Sequence, residues 1–406
     1  MKAYERLLKY IAIRTPSDEE SDTVPSSTCQ FELAQHLHRE LFTMGITNVE
    51  VDTQCYLYAH IPPTPGYEDR PKLGFIAHLD TVSDFCDHRI IAEIHEDYNG
   101  RDLPLGSSGR VLSPDMFPHL KELKGRTLIT SDGTTILGAD DKAGIAEIMT
   151  MVERILDENI PHGPISIAFT PDEEIGMGAA HFNLEDFGAD FAYTLDGDTE
   201  GEIQYENFNA AKAEFHINGV NVHPGSSKDV MVNAALVAME INSMLPPDET
   251  PCDTEGYEGF YHLTDMKGDV GYAELHYIIR DHDGKKFEER KEKLQTIAKE
   301  INAKWGRGTA ELVITDQYRN MAEIISGCMH LIDNAKKACE NAGVTPLILP
   351  IRGGTDGAQL SFKGLPCPNL GTGGHGYHGP YEHITTEGMD AACEVALELV
   401  KIYAGA

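Results

Sequence analysis

Apolar positions along this chain switch repeatedly between two periods. Leu73-Gly74-Phe75-Ile76-Ala77 is a short, nearly unbroken apolar run of strand length. Ile145, Ile148, Met149, Val152, Ile155 and Leu156 keep the three-to-four spacing of a helical stripe, and Ile165-Ser166-Ile167-Ala168-Phe169 returns to a strand. This alternation predicts an α/β sheet flanked by helices. The character changes near Asn207-Phe208-Asn209. From there the pattern reads strand (Ala213 to Ile217), helix (Val232 to Met244), strand (Ala273 to Ile279), a long charged helix (Lys285 to Lys304) and strand (Ala310 to Ile314). That order suits a smaller α+β unit inserted in the larger one, over 209–317, with 1–208 and 318–406 forming the main domain. Alternation then resumes with a helix from Ile325 to Asn341, a strand from Pro346 to Leu349 and a last helix from Glu387 to Tyr403. The stretch Phe85 to Lys124, rich in Gly, Pro and His, reads as a long excursion.

A chain of 406 residues is too long for one comfortable core, in agreement with two domains. Lys and Arg number 33 against 66 for Asp and Glu, a formal net charge of −33, which repels nucleic acid and anionic membranes. No apolar run approaches membrane-spanning length, and Met1 leads straight into an amphipathic pattern at Leu7, Leu8 and Ile11. Eight scattered cysteines with no CxxC pair read as reduced thiols. The expected location is the cytoplasm.

Within this acidic composition, five clusters stand where strands hand over to loops: His78-Leu79-Asp80, Asp140-Asp141, Glu173-Glu174, Asp196 and His378. Ligands bind beyond the carboxyl ends of strands in open α/β sheets, and carboxylate with imidazole is the donor set of a two-metal hydrolase. Alternation puts His78 and Asp80 on one side, so Asp80 is placed to orient a ligating His78. Two adjacent carboxylates followed by small residues, Asp140-Asp141-Lys142-Ala143-Gly144, exceed what a helix cap needs and suit a bridging role for Asp140. Three acids in a row, Asp172-Glu173-Glu174, repel one another in a cleft unless cations neutralise them, and one of them is then available as a proton shuttle. In Gly371-Thr372-Gly373-Gly374-His375-Gly376-Tyr377-His378-Gly379 the spacing leaves either His375 or His378 as a ligand. Arg280, ending an apolar strand, and Arg352, before Gly353-Gly354-Thr355-Asp356-Gly357, point to an anionic substrate end.

Phe75-Ile76-Ala77-His78-Leu79-Asp80-Thr81, Leu137 to Gly144, Thr170 to Glu174, Tyr205 to Ala210, Val222-His223-Pro224-Gly225, Tyr277 to Asp281 and Arg352 to Gly357 together resemble the tripeptide aminopeptidase branch of the M20 metallopeptidases, from the first helix to the last. The resemblance implies a zinc-exopeptidase-like catalytic domain with a mixed central sheet, and an inserted lid and dimerisation domain through which a homodimer forms. It implies two Zn2+ per subunit, with Co2+ or Mn2+ as substitutes. His78 and Asp196 would bind one, Glu174 and His378 the other, and Asp140 would bridge. Asp80 would support His78, Glu173 would be the general base, His223 would stabilise the oxyanion, and Arg280 and Arg352 would hold the C-terminal carboxylate of a tripeptide. A cis peptide at Asp140-Asp141 is also implied. The chain departs from the pattern at Pro380 and Tyr381, where the better-known members have Lys then His, and at Asp198, where they have glycine. A carboxypeptidase or N-acyl amino acid deacylase of the same fold would share every ligand, and a non-catalytic cation-binding protein would share the acidity without the shuttle.

Overall fold

The computed structural model describes residues 1–405, and the chain divides into two compact units. The first holds Met1–Tyr205, Glu323–Leu349 and Thr355–Ala406, and the second Glu206–Ala322 with Pro350–Gly354. The expected cuts at 208/209 and 317/318 thus move by a few residues. Pro350–Gly354, expected in the main domain, joins the second unit because Ile351 N–H donates to Glu206 O at 2.8 Å and His282 Nε2 meets Ile351 O at 3.0 Å.

The first unit is built on an eight-stranded mixed sheet. Its order is Val49–Val51, Leu57–Ile61, Ile165–Thr170, Leu73–His78, Phe191–Gly197, Asn369–Gly371, Glu202–Gln204, Leu347–Ile348. The strands Ile165–Thr170, Leu73–His78 and Phe191–Gly197 run parallel side by side, with His78 opposite Thr170. Every residue of the first two is buried, which is why they read as apolar runs rather than alternating ones. The helix Ala139–Asp157 packs on the sheet and on the helices Ala3–Tyr10 and Thr386–Ala404. Gly144 permits that approach, since a Cβ there would stand 2.0 Å from Leu195 O. Elsewhere on the sheet Tyr56, Tyr58, Ile76, Phe182, Phe187 and Leu360 form a separate apolar cluster.

The stretch read as an excursion is ordered around its own small core of Tyr98, Leu105, Leu112, Leu120, Leu123 and Leu128. It contains the strand Ala92–His95, which pairs with Leu128–Ser131, a short hairpin and a 3-10 turn. The helix expected from Ile325 to Asn341 is broken into Ala322–Ile325, a 3-10 turn at Ser326–Cys328 and His330–Asn341, with Gly327 inside the interruption.

The second unit is a four-stranded antiparallel sheet in the order Phe260–Gly268, Tyr272–Asp281, Asn209–Asn218, Ala310–Tyr318. Alternate residues such as Phe215, Ile217, Leu275 and Ile279 are buried with Leu294, Ile297 and Ile301 of the helix Gly284–Trp305 and with Val237 and Ile241 of the helix Ala234–Ser243. Asn233 and Asp283 cap these helices with their side chains.

Candidate active site

Three parallel strands deliver their carboxyl ends to one edge of the large sheet, and the expected ligands of the first unit gather there. His78, the last residue of its strand, is buried. Its Nε2 lies 3.0 Å from Asp140 Oδ1 and 3.4 Å from Asp196 Oδ1. The second oxygen of Asp140 faces His378 Nε2 at 3.0 Å, and the same His378 nitrogen lies 3.0 Å from Glu174 Oε2. One carboxylate therefore stands between two imidazoles, offering one oxygen to each. His78, Asp140 and Glu174 bring ligand atoms within 4.8 Å of one another, as do His78, Asp141 and Asp196. Asp141 is nonetheless committed elsewhere, because its oxygens accept the N–H groups of His78 at 3.1 Å and Gly144 at 3.2 Å.

The segment bearing Asp140 is held from the far end of the chain. The buried carboxylate of Glu382 accepts the N–H groups of Leu137, Gly138, Ala139 and Asp140 at 2.7, 2.8, 2.6 and 3.1 Å. Gly138 turns with φ 75°, the Asp140-Asp141 peptide is cis, and regular helix begins only after Asp141. Nothing in the local sequence marked Glu382, a lone acid behind Gly379-Pro380-Tyr381.

The triple acid divides its labour. Asp172 is structural, accepting Ser26 N–H at 2.7 Å, Ser26 Oγ at 2.5 Å and Gln30 Nε2 at 2.6 Å. Glu174 faces His378, and its other oxygen accepts Val82 N–H at 3.2 Å. The carboxylate of Glu173 accepts no hydrogen bond from the described residues. Asp80 has a broader part than the sequence suggested. Its carboxylate accepts the N–H groups of Glu173 at 2.9 Å and Glu174 at 3.1 Å, while His78 Nδ1 sits closest to the Asp80 main-chain oxygen, at 3.0 Å, with Oδ1 at 3.4 Å.

The electrostatics express a shortage of positive charge. Burial pushes Glu174 up to about 7, assisted by the neighbouring Asp140, and raises Glu173 well above the carboxylate range with Asp196 adding to it. Burial likewise raises Asp196. Burial alone would lower His78, but hydrogen bonds to Asp140 and Asp196 outweigh it and hold the imidazolium well above its usual value. Hydrogen bonds to Asp140 and Glu174 hold His378 up to about 11. Two imidazoles and three carboxylates converging with their lone pairs inward fit divalent cations of the Zn, Co or Mn kind.

Of the two histidines left open by spacing, His378 faces the pocket, from a left-handed backbone at φ 61°. His375 is buried in a stack with His119, ring centroids 4.1 Å apart. His119 and His383 are coplanar within 2°, Nε2 to Nε2 at 2.9 Å, so one N–H is shared between them. Tyr381, one of the departures, packs on Phe117 with centroids 5.7 Å apart. Asp198, the other, is pushed up to about 6 by burial, then by Asp140 and Asp196. A further acid that sequence reasoning left without a role is Asp356. It is buried, accepts Thr170 Oγ1 at 2.8 Å, and is raised to about 7 by burial.

The three remaining expected residues belong to the second unit. Arg280 donates to Ile279 O at 2.9 Å and lies over the Tyr318 ring at 5.3 Å. Arg352, expected with a free fork, spends both Nη groups on the 254–258 loop. They donate to Gly256 O at 2.8 Å, Glu258 O at 3.0 Å and Thr254 Oγ1 at 3.0 Å, above Phe208 and Phe260. His223 is exposed and caps a 3-10 turn, its Nδ1 accepting Gly225 N–H at 3.1 Å.

Residues 132–402 match the sequence model of "Peptidase family M20/M25/M40". The chain is 52% identical over 404 residues to "Peptidase T" of Clostridium perfringens (strain 13 / Type A), covering 99% of each chain. A tripeptidase from Staphylococcus aureus superposes with a TM-score of 0.80 at 23% identity, covering 100% of this chain and 98% of that one. Aminopeptidase PepT from Bacillus cereus superposes at 0.77 with 23% identity, covering 99% and 98%. At that identity the two structures establish the fold.

Proposed function

The chain belongs to peptidase family M20/M25/M40, and from that premise we propose that it is a metal-dependent aminopeptidase releasing the N-terminal residue of tripeptides. The observation that carries the reading is the Asp140 carboxylate, with one oxygen toward His78 and the other toward His378. That arrangement supports two cation positions sharing Asp140, one completed by His78 and Asp196 and the other by Glu174 and His378, with zinc as the first choice. Bound there, the cations would polarise the scissile carbonyl and acidify a water.

The protein's own groups do the rest. Glu173, a carboxylate free of protein partners, takes the proton of the attacking water and returns it to the leaving amine. Asp80 holds the main chain of Glu173 and Glu174 and so fixes both acids relative to His78. His223 donates to the developing oxyanion. Arg280 receives the substrate's C-terminal carboxylate, and Arg352, whose Nη groups already serve the 254–258 loop, completes that end of the site. Recognition of both termini selects tripeptides by length. We propose further that the second unit, near 209–317, acts as lid and as the surface of a homodimer. No helix among the described residues is long and apolar enough to cross a membrane, which is compatible with the cytoplasmic location we propose.

Metal content measured alongside turnover tests the reading. The expected outcome is about two equivalents of Zn2+ per chain and release of the N-terminal alanine from Ala-Ala-Ala. Cleavage of N-acetyl-alanine without cleavage of the free tripeptide would move the protein to the deacylases of the same fold.

A further inference from the structure

The stretch from Phe85 to Lys124 has an apolar core of its own, and none of the proposed chemistry draws on it. It reaches the turn that carries His378. That turn joins the strands Gly374–His375 and His383–Thr385, in which His375 stands opposite His383. Inside it, among the described residues, the main chain closes one hydrogen bond on itself, Glu382 N–H to Gly379 O at 3.1 Å. The ring of His378 is also less tied than that of His78. His78 Nδ1 is met by the Asp80 main-chain oxygen at 3.0 Å, whereas His378 meets the pocket acids through Nε2 alone. The aim of His378 is therefore set by the main chain that bears it.

Three side chains that straddle His378 in sequence meet the 85–124 stretch. His375, before it, stacks on His119 with ring centroids 4.1 Å apart. Tyr381, after it, packs on Phe117 at 5.7 Å. His383, at the foot of the turn, has a fixed tautomer, because its Nδ1 lies 2.7 Å from the carbonyl oxygen of Tyr381 and must donate to it. Its Nε2 is then a bare acceptor, and His119 Nε2 at 2.9 Å is the donor. Burial lowers both imidazoles, His383 to about 4, which keeps the pair neutral and this sense of donation in place near pH 7. The donor is fixed from its own side as well. Pro118 precedes His119 in a 3-10 turn, and Leu120 follows it into the apolar core of the stretch. We propose that His119 is a positioning residue for His378: its N–H, held by the 85–124 stretch, locks the foot of the turn and so aims the His378 imidazole at Asp140 and Glu174, where the second cation position lies. This rests on the reading of Asp140 as shared by two cations.

Two substitutions separate the hydrogen bond from the packing. His119→Phe keeps a ring on His375 and loses the donor, whereas His119→Gln has an amide N–H that stands in for Nε2–H. Zn2+ titrated into the metal-free protein against a chelator should fill two steps, and His378→Ala identifies the step that depends on that histidine. His119→Phe should weaken that step about tenfold and leave the other as in the wild type, and His119→Gln should restore most of the loss. Both steps weakened alike, or neither weakened, overturns the proposal, since the part of His119 is then general packing or none. A loss in His119→Gln equal to that in His119→Phe overturns it too, because the N–H is then not what matters. So does a third Zn2+ step in the wild type that His119→Phe abolishes, by making His119 itself a ligand. If His378→Ala leaves both steps unchanged, the two-cation reading fails first. Hydrogen exchange of the Glu382 amide in the metal-free protein, the N–H that donates inside the turn, then decides the positioning by itself. Faster exchange in His119→Phe that His119→Gln reverses supports the lock, and wild-type rates in both variants overturn it.

Discussion

The ligand pocket of the first unit and the expected substrate contacts of the second are held in opposite ways. In the pocket nearly every polar atom is tied to backbone or to another ligand. Asp80 takes two N–H groups, Asp141 two, Glu382 four, and His78 is gripped at both ring nitrogens. In the second unit His223 is exposed on a short turn, Arg280 rests over a tyrosine ring, and Arg352 serves a neighbouring loop. A cation needs donors fixed within tenths of an ångström, and desolvated carboxylates need neutralising, so the pocket is built before anything binds. Groups that meet a leaving and arriving peptide need no such preorganisation while they are free.

The sharpest way to break this comparison is to remove a pocket acid whose carboxylate accepts no hydrogen bond among the described residues. Glu173→Ala should leave metal content near that of the wild type while kcat falls by about 10²–10⁴-fold, because on the proposed reading the general base is lost and the ligands stay. Loss of metal together with activity would make Glu173 a ligand. Next in size, Arg280→Met should raise KM for Ala-Ala-Ala by the equivalent of about 2–4 kcal/mol and hardly affect the C-terminally amidated tripeptide, which has no carboxylate to pair. Equal losses on acid and amide would return Arg280 to a structural part over Tyr318.

Glu382→Gln tests whether preorganisation of the pocket extends past the ligands. Two of the four N–H groups would face an amide N–H2 in place of an acceptor, and metal affinity should drop about 10- to 100-fold, measured by competition with a chelator. Unchanged affinity would show that the Leu137–Asp140 segment holds its shape unaided. The smallest effect concerns the histidines beside the pocket. Burial lowers His383 to about 4, below the value near 6.5 that it has in an unfolded chain. The unfolded state therefore takes up the proton first, and the stabilisation present above pH 6.5 is lost as pH falls toward 4. For His383 alone this amounts to about 1 kcal/mol between pH 7 and pH 5.5. Burial lowers His119 and His375 in the same sense. Denaturant unfolding of the metal-free protein at the two pH values should show the slope, and His383→Gln should make it shallower.

Where sequence reasoning succeeded, the signal was local and periodic. The buried strands appeared as apolar runs, and the helices of the second unit lay within two residues of their expected ends. His78, Asp196 and Glu174, which the structure brings to one pocket, stood out because they lie in or just behind apolar strands. The strand Ala92–His95 escaped notice because its burial is partial and its partner, Leu128–Ser131, lies across a Gly- and Pro-rich stretch.

By itself the sequence determined which donors exist, and that His78, Glu174 and Asp196 sit in or just behind strands, while Asp140, expected at a strand end, heads the helix Ala139–Asp157 and His378 stands in a turn. Only the tertiary structure decided which of them meet. It separated His378 from His375, gave Asp172, Glu173 and Glu174 three different surroundings, gave Arg352 to the 254–258 loop, and brought Glu382 to a segment 245 residues earlier in the chain. The physical reason is that a hydrogen bond between distant residues depends on where the whole sheet carries their backbones. A spacing pattern along the chain holds no trace of that distance.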